Sequence, residues 1–353
     1  MQAIRDVYGY VKRYPWQFGV GLLMIIVSSF TATLAPLITG SAIDALATGT
    51  MTMQNVWWYV LGVLGAVGVA AVVLIIVRRT ILGASWDIQF DMRRDLFDHF
   101  TRLDAHYYDN NRVGDMIARL TADLNMVRMF VGVGIFQGFN TLMLLIFSFS
   151  RMAGISLQLT LLTLVLVPLT TLTFFLILRV VHRRYEKVQQ QFSDISAMAQ
   201  ENFSGIRVVK GFGIEDRELA KFGRLNDEFI NRNLRLVRAD GPLFPLMEVL
   251  FGLTTSVILL IGGRQVLGIG AELSIGQFSA FLLLFEALSW PIIALGWIAS
   301  VFQRGITSWG RLKEILDEQP RVRDSSRTDY SLREIKGEIE FRNVSLSFGS
   351  TKA

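Results

Sequence analysis

Histidines, cysteines and acids set in apolar surroundings are the residues that most often carry chemistry, and this chain has few of them. Its 353 residues include no cysteine, which excludes thiolate metal ligation, a cysteine nucleophile and disulfide chemistry. The three histidines, His99, His106 and His182, fall in polar segments without the spacing of a metal cluster or a base–nucleophile pair. We therefore read no metal site and no catalytic residue in the chain. What remains are two carboxylates isolated in apolar runs, Glu248 within 242–263 and Glu286 within 273–303. A charge in hydrocarbon is costly, so an acid there is a candidate site by default. Glu286 falls near the middle of its run by helix rise, and facing a water-filled cavity would remove the penalty on its charge. Two readings stand for Glu248, a cavity position or simple exposure to water near the interface. Two also stand for Gln137 and Asn140, which either line the same cavity or bind neighbouring helices.

The elements that must position these residues are membrane helices. The composition is 52% hydrophobic and 18% charged, against about 25% charged in soluble domains. Six charge-poor runs are each long enough to bridge a bilayer, for which roughly 20 residues suffice. They place spans at about 16–38, 56–81, 130–150, 155–181, 242–266 and 274–303. The fold expected is an all-α polytopic membrane protein. Residues 1–15 alternate Ile4, Val7, Tyr8 and Val11 with Arg5, Lys12 and Arg13, the pattern of an elbow helix lying in the interface. No cleavable signal peptide is evident, because the first apolar run is too long and its flank too polar.

Orientation follows from the basic residues. The N-terminus holds 3 Lys or Arg, the second-to-third connection 8, the fourth-to-fifth 12 and the C-terminal tail 10, leaving only Arg151 and Arg264 on the other side. That bias places both termini and the two long connections in the cytoplasm, with short outer connections at 39–55, 153–158 and 267–273. The +5 net charge is then a topology signal, and nucleic-acid binding is not expected.

The long connections continue the helical pattern. Ile81, Ile88, Met92, Leu96 and Leu103 recur at spacings of seven and four, a packing seam on a helix running to Asp104. Such a helix projects about 40 Å past the membrane. The chain is expected to turn at Asp109, Asn110 and Asn111, to restart at Gly114-Asp115 with an Asp115–Arg119 ion pair, and to return through Ile117, Leu120, Leu124 and Val127. The second connection repeats the plan, with a descending helix over 179–209, a break at Gly211-Phe212-Gly213, and an ascent from Glu215-Asp216 through Phe222, Leu225 and Phe229. A soluble partner at the depth of these tips is the natural reason to build them.

From about Tyr8 onward the chain resembles the transmembrane part of bacterial ABC exporter half-transporters. Leu103, Tyr107, Tyr108 and Asp109, then Gly114-Asp115 and Arg119-Leu120-Thr121-Ala122-Asp123, are similar to the family's L-x-x-x-[YF]-[FY]-D … G-D … R-L-T-x-D segment. Glu201, Gly205-Ile206, Val209-Lys210, Phe212 and Glu215 follow its E-x-x-x-G-I-x-x-V-K-x-F-x-x-E stretch. Ser274-Ile275-Gly276, Phe281, Pro291 and the run from Gly310 to Pro320 form a third match.

The resemblance implies a type-1 exporter transmembrane domain over 16–320 and alternating access powered by ATP. It implies two half-transporters, identical or not, each with a nucleotide-binding domain that holds ATP and Mg. Amphipathic drugs, lipids or peptides would be the substrates, and the bacterial inner membrane the location. The tips Tyr108, Asp109, Asn110 and Asn111, and Phe212, Gly213, Ile214, Glu215 and Asp216, would be coupling helices on the ATPase domains, the second mainly on the partner's. A linker over 321–336 leads to 337–353, where Ile339, Phe341 and Val344 alternate with polar residues like the family's first ATPase strand. Phe348 falls at the adenine-stacking position. No G-x-x-x-x-G-K-[ST] phosphate loop follows, so this chain alone is expected to hold an incomplete nucleotide site and a loosely packed tail, as a truncated half-transporter would. A receptor or signalling subunit coupled to a cytosolic partner is the alternative. A channel would need a filter segment for which the outer connections leave no room. An intramembrane enzyme would need histidines in the spans.

Overall fold

In hydrocarbon the backbone has no hydrogen-bond partner but itself, so long apolar runs must be helical. The computed structural model bears this out, and describes residues 2–268, 272–320, 328, 337–345, 347–348 and 351–352, with backbone alone for 2–4, 347–348 and 351–352. Six helical stretches are long and apolar enough to cross a membrane: Pro15–Ala47, Met53–Arg102, Val113–Ile155, Leu157–Ser204, Glu215–Val266 and Ile275–Asp317. The molecule is a multi-pass membrane protein with two long helical hairpins on one face and short connections on the other.

The chain opens with α1 (Gln2–Val11) and turns into α2 (Pro15–Ala32), where Pro15 occupies the first helical position and its missing N–H costs nothing. One face of α1 packs onto the last helix, burying Val7 and setting Tyr10 edge-on to Trp309 at 6.0 Å. After a joint at Thr33, α3 (Leu34–Ala47) carries the first span through much of what the sequence pattern leaves as an outer connection. Then α4 (Met53–Val77) and α5 (Gly83–Arg102) are joined without a break by a π-helical turn, Arg78–Leu82.

The first hairpin turns through α6 (Ala105–Asn110) and climbs through α7 (Val113–Ala118), α8 (Leu124–Met129) and α9 (Ile135–Ile155), with π-turns at Arg119–Asp123 and Phe130–Gly134. The expected seam holds: Ile81, Ile88, Met92, Leu96 and Leu103 are all buried, facing Leu124 and Val127. Two local expectations do not. Asp109 and Asn110 close a short helix capped by Asp104 instead of forming an open turn, because the Asp104 carboxylate accepts from Tyr107 N. Asp115 and Arg119 stay one helical turn apart, with Arg119 N–H bonded to the Asp115 carbonyl, but their side chains form no ion pair among the described residues; Arg119 instead lines the cleft beside Glu314 and Glu318.

In the second hairpin α10 (Leu157–Ser204) runs 48 residues, unbroken at Pro168. The descent stops earlier than expected, at Gly205, and a short α11 (Ile206–Phe212) follows at the tip, so Gly211 is helical and the left-handed turn falls at Gly213. Gly213 sits at φ 62°, a left-handed conformation that suits glycine. The chain returns along α12 (Glu215–Asp240) and α13 (Leu243–Val266). The last span splits into α14 (Ile275–Glu286) and α15 (Ser289–Asp317). Pro291 explains the split, since it has no N–H to bond back to Ala287, and the joint falls at Ala287-Leu288.

At the C-terminus the expected strand does not extend over 337–345. Ile339, Phe341 and Val344 are exposed there, with no neighbouring strand among the described residues to pair with. Among the described residues, pairing is confined to β1 (Ser347–Phe348) against β2 (Thr351–Lys352). The linker at 321–336, Thr328 excepted, and the Phe348 side chain lie outside the described residues.

Candidate functional site

The first tip is fixed by its own polar residues. Tyr108 Oη donates to the Phe100 carbonyl at 2.5 Å, and Asn111 Nδ2 donates to the Tyr107 carbonyl at 2.9 Å. Asn110 folds back on the His106 carbonyl at 2.9 Å, while the Asp109 carboxylate stays exposed. Beside this tip a polar cleft of about 300 Å³ runs between His106, Asn110 and Arg119 and the end of α15 at Glu314 and Glu318.

The second tip has a different surface. Phe212 is 78% exposed and Val208 is also open, while Phe203, Ile206, Leu219 and Phe222 line a groove of about 390 Å³ between α10, α11 and α12. Glu215 opens α12, where negative charge suits a helix N-terminus. Its own backbone N–H and Lys210 Nζ, at 3.0 Å, hold its carboxyl below the usual carboxylate range. Ile214 and Glu215 are half-buried; Gly213 and Asp216 are exposed. The tip thus offers a rigid turn with an apolar ridge, the surface a soluble partner can grip.

Of the membrane candidates, Glu286 is the last residue of α14, at the joint, and is exposed. Trp290, one turn further, is 70% exposed, and Trp297 also stands open, so an acid and two indoles lie along the same span. Carboxylate next to aromatic faces is the usual chemistry for holding an organic cation. Glu248 is exposed on α13. Gln137 and Asn140 are half-buried on α9, and Asn140 Oδ1 receives a long bond from Ser29 at 3.5 Å, which ties it to a neighbouring helix.

Three clusters escaped the sequence reading. At the face with short connections, Asp44 of α3 accepts from Ser274 Oγ at 2.5 Å and from Gly276 N at 2.6 Å, capping α14 from outside. Ser274 and Gln277 complete a capping box. The α3 and α14 backbones touch here, because Gly40 and Gly276 leave no side chain between them. On the hairpin side, Asp123 accepts from Ser308 Oγ and Arg311 Nε, each at 2.9 Å, with a further close contact to Arg311 Nη2. Burial pushes the Asp123 carboxyl up, but bonds from Arg311 and Ser308 outweigh it and leave the carboxyl below its ordinary value. Lys313 pairs with Asp6 at 2.5 Å, and Arg13 and Tyr14 reach Asp91 at 3.3 and 3.0 Å. Asp123 and Arg311 stand in two of the motifs noted above, and their spacing in sequence gave no hint that they meet. A third cluster, of arginines between α10 and α12, is taken up below.

Comparison with known proteins bears on what these parts do. Residues 18–292 match the family model of the ABC transporter transmembrane region. The uncharacterized ABC transporter ATP-binding protein YknU of Bacillus subtilis is 27% identical over 98% of this chain and 59% of its own length. The multidrug resistance-like ATP-binding protein MdlA of Escherichia coli is 27% identical over 92% of the chain and 55% of itself. An ATP-dependent lipid A-core flippase of Nitrosococcus oceani is 26% identical over 100% of the chain and 58% of itself. The chain therefore spans less than three fifths of the length of each of these curated relatives.

Proposed function

Since the chain belongs to the ABC transporter transmembrane family, we propose that it is the membrane-spanning subunit of an ATP-driven exporter that moves amphipathic substrates by alternating access. The observation that carries this reading is the second tip: an apolar ridge around Phe212 that nothing among the described residues covers. It stands at the end of a helix that leaves the membrane near Arg179 and descends for another 25 residues to Ser204, about 38 Å at helical rise. A nucleotide-binding domain fits that ridge, and the first tip seats on a second such domain. ATP and Mg belong to those domains, and the residues of this chain transmit displacement. Packed helices do so by shifting between discrete arrangements.

The working unit is two half-transporters in the bacterial inner membrane with both termini cytoplasmic, supported by the placement of 33 of 35 basic residues on the hairpin side. Glu286 and Trp290 line the substrate path, with Glu248, Gln137 and Asn140 contributing nearer its edges. The printed names of the relatives, multidrug resistance-like and lipid A-core flippase, support an amphipathic cargo. The test is ATP hydrolysis by the complete protein in lipid, with and without drug and lipid candidates. Phe212→Ser is expected to preserve nucleotide binding and abolish substrate-stimulated turnover. Stimulation equal to that of the unaltered protein would refute the role of the tip.

A further inference from the structure

Positive charge on the hairpin face is expected from topology, but its convergence from two helices into one groove is not. Arg183, Arg184 and Lys187 of α10 and Arg232 and Arg235 of α12 line a groove of about 510 Å³ whose one acid is Glu228. That carboxylate is already shared: Arg232 Nε donates to it at 2.8 Å and Arg235 Nη2 at 3.1 Å. Two of the guanidiniums are also held by the opposite helix. Arg184 Nη1 donates to the Arg235 carbonyl at 3.2 Å, and Arg232 Nη1 to the Lys187 carbonyl at 3.0 Å. Arg183 and Lys187 are exposed and make no ion pair among the described residues. The groove therefore holds five cations against one carboxylate, with forked donors fixed before any ligand arrives.

Its height selects the ligand. Arg179 is the first charge after the fourth apolar run, and Arg183 and Lys187 follow it by 4 and 8 residues, about 6 and 12 Å along the helix. The headgroup layer extends about 5–7 Å beyond the hydrocarbon on each side, and arginine or lysine stems reach a further distance toward it. The mouth of the groove thus opens at the level of lipid phosphates. Guanidinium forks match phosphate oxygens two at a time, and basic pockets between membrane helices suit anionic headgroups.

We propose that this groove between α10 and α12 binds the phosphate-bearing headgroup of an anionic phospholipid from the leaflet on the hairpin side. The site stands apart from Glu286 and does not depend on what the protein transports or on whether it pumps. Occupation would neutralise like charges on the two helices of the second hairpin and hold them at a fixed spacing.

The test uses the protein in nanodiscs of zwitterionic lipid doped with phosphatidylglycerol, with bound lipid counted by native mass spectrometry. Arg183→Gln with Lys187→Gln removes two unpaired charges without touching the Glu228 network. It is expected to lower phosphatidylglycerol retention about thirtyfold, as two surface basic residues would. Lys221→Gln with Arg224→Gln, exposed on α12 outside the groove, is expected to leave retention unchanged. Retention unaltered in the first pair, or equally lowered in the second, overturns the proposal. So does displacement of the lipid by millimolar inorganic phosphate, which would make this a site for free anions. Because the chain has no native cysteine, Arg183→Cys supplies one more arm. Disulfide cross-linking of two copies through that residue would make the groove a subunit interface and overturn lipid binding.

Discussion

Closing α3 against α14 depends on two glycines, and Gly276→Ala is the sharpest perturbation the fold offers. A methyl at Gly276 would overlap the Gly40 carbonyl oxygen and meet the Asp44 carboxylate. The helices must then separate, and the 2.6 Å bond from Gly276 N to Asp44 weakens with them. Overpacking of this kind costs about 1–3 kcal/mol, and a lost hydrogen bond to a charged group costs about 1.5–3 kcal/mol. Alanine returns up to about 1 kcal/mol through helix propensity. The net destabilisation expected is about 2–4 kcal/mol, a drop of several degrees in the melting temperature. The assay is thermal unfolding of the protein in nanodiscs, with Gly68→Ala as comparator, since nothing lies within 4 Å of a methyl there. Asp44→Asn alone should lose part of the same energy. Combined with Gly276→Ala it should add little, because both remove one interaction. If Gly276→Ala melts together with Gly68→Ala, the close approach of α3 and α14 is wrong. If the two changes add fully, Asp44 does not act through Gly276.

Glu286→Gln keeps the shape of the span and deletes the one acid of the apolar run 273–303, so transport of cationic amphipaths by the complete protein should fall at least tenfold while neutral substrates persist; equal loss of both would remove Glu286 from the path. Ala substitution of Ile214 and Glu215 should leave ATP binding intact and uncouple hydrolysis from substrate, read as stimulation ratio in proteoliposomes. Asp123→Asn should destabilise by about 2 kcal/mol through weakened bonds to Arg311 and Ser308, measured by thermal unfolding at neutral pH. The Asp123 carboxyl lies below its ordinary value, so its stabilisation is present above the unfolded value near about pH 4 and fades as pH falls through the folded one. The variant should therefore melt with less acid sensitivity than the unaltered protein below about pH 4. The 353 residues as a chain should bind no nucleotide in equilibrium dialysis, since they hold no phosphate loop.

What could be read from the sequence is what depends on local period and composition. The spacing of Ile81, Ile88, Met92, Leu96 and Leu103 reports one helix face, and each of these residues is buried as that spacing requires. The spans and the two hairpins follow from the length of apolar runs and from where arginine and lysine gather. What could not be read depends on pairing across the fold. Nothing local marks Asp44 as the cap of a helix that begins 231 residues later, at Ile275. Nor does it mark Asp123 as the partner of Arg311. Glycine signals were ambiguous for a different reason. Gly205, Gly211 and Gly213 all permit a break, and tertiary context used the first and last while leaving Gly211 helical. The joint at Ala287-Leu288 was half legible: Pro291 announces a break, but the missing bond acts a turn earlier.

The two hairpins share a plan and differ in how they are held, and the difference decides which can move independently. The first is part of the core. Its α5 seam is buried against α8, and Asp91, Asp123 and the α1 and α15 charges fasten it at the membrane border. Any motion of α15, the continuation of the last span, must carry this hairpin along. The second packs chiefly on itself. No residue of α12 is fully buried, and its apolar side chains, Phe222, Ile230, Leu234 and Val237, remain exposed beside α10. Such surface is costly in water, so in the proposed dimer a second copy has to cover it. The second hairpin then moves with whatever it docks on, while its other end stays in this chain's bundle. Because α10 crosses 48 residues without a break, about 72 Å at helical rise, a displacement passed from the tip through the joint at Gly205 to Ser204 reaches Leu157 on the opposite face with no further joint to absorb it. A hinge introduced into α10 below the membrane would dissipate that displacement, whereas the same change in α12, which ends at Asp240 before the fifth span begins, would dissipate less.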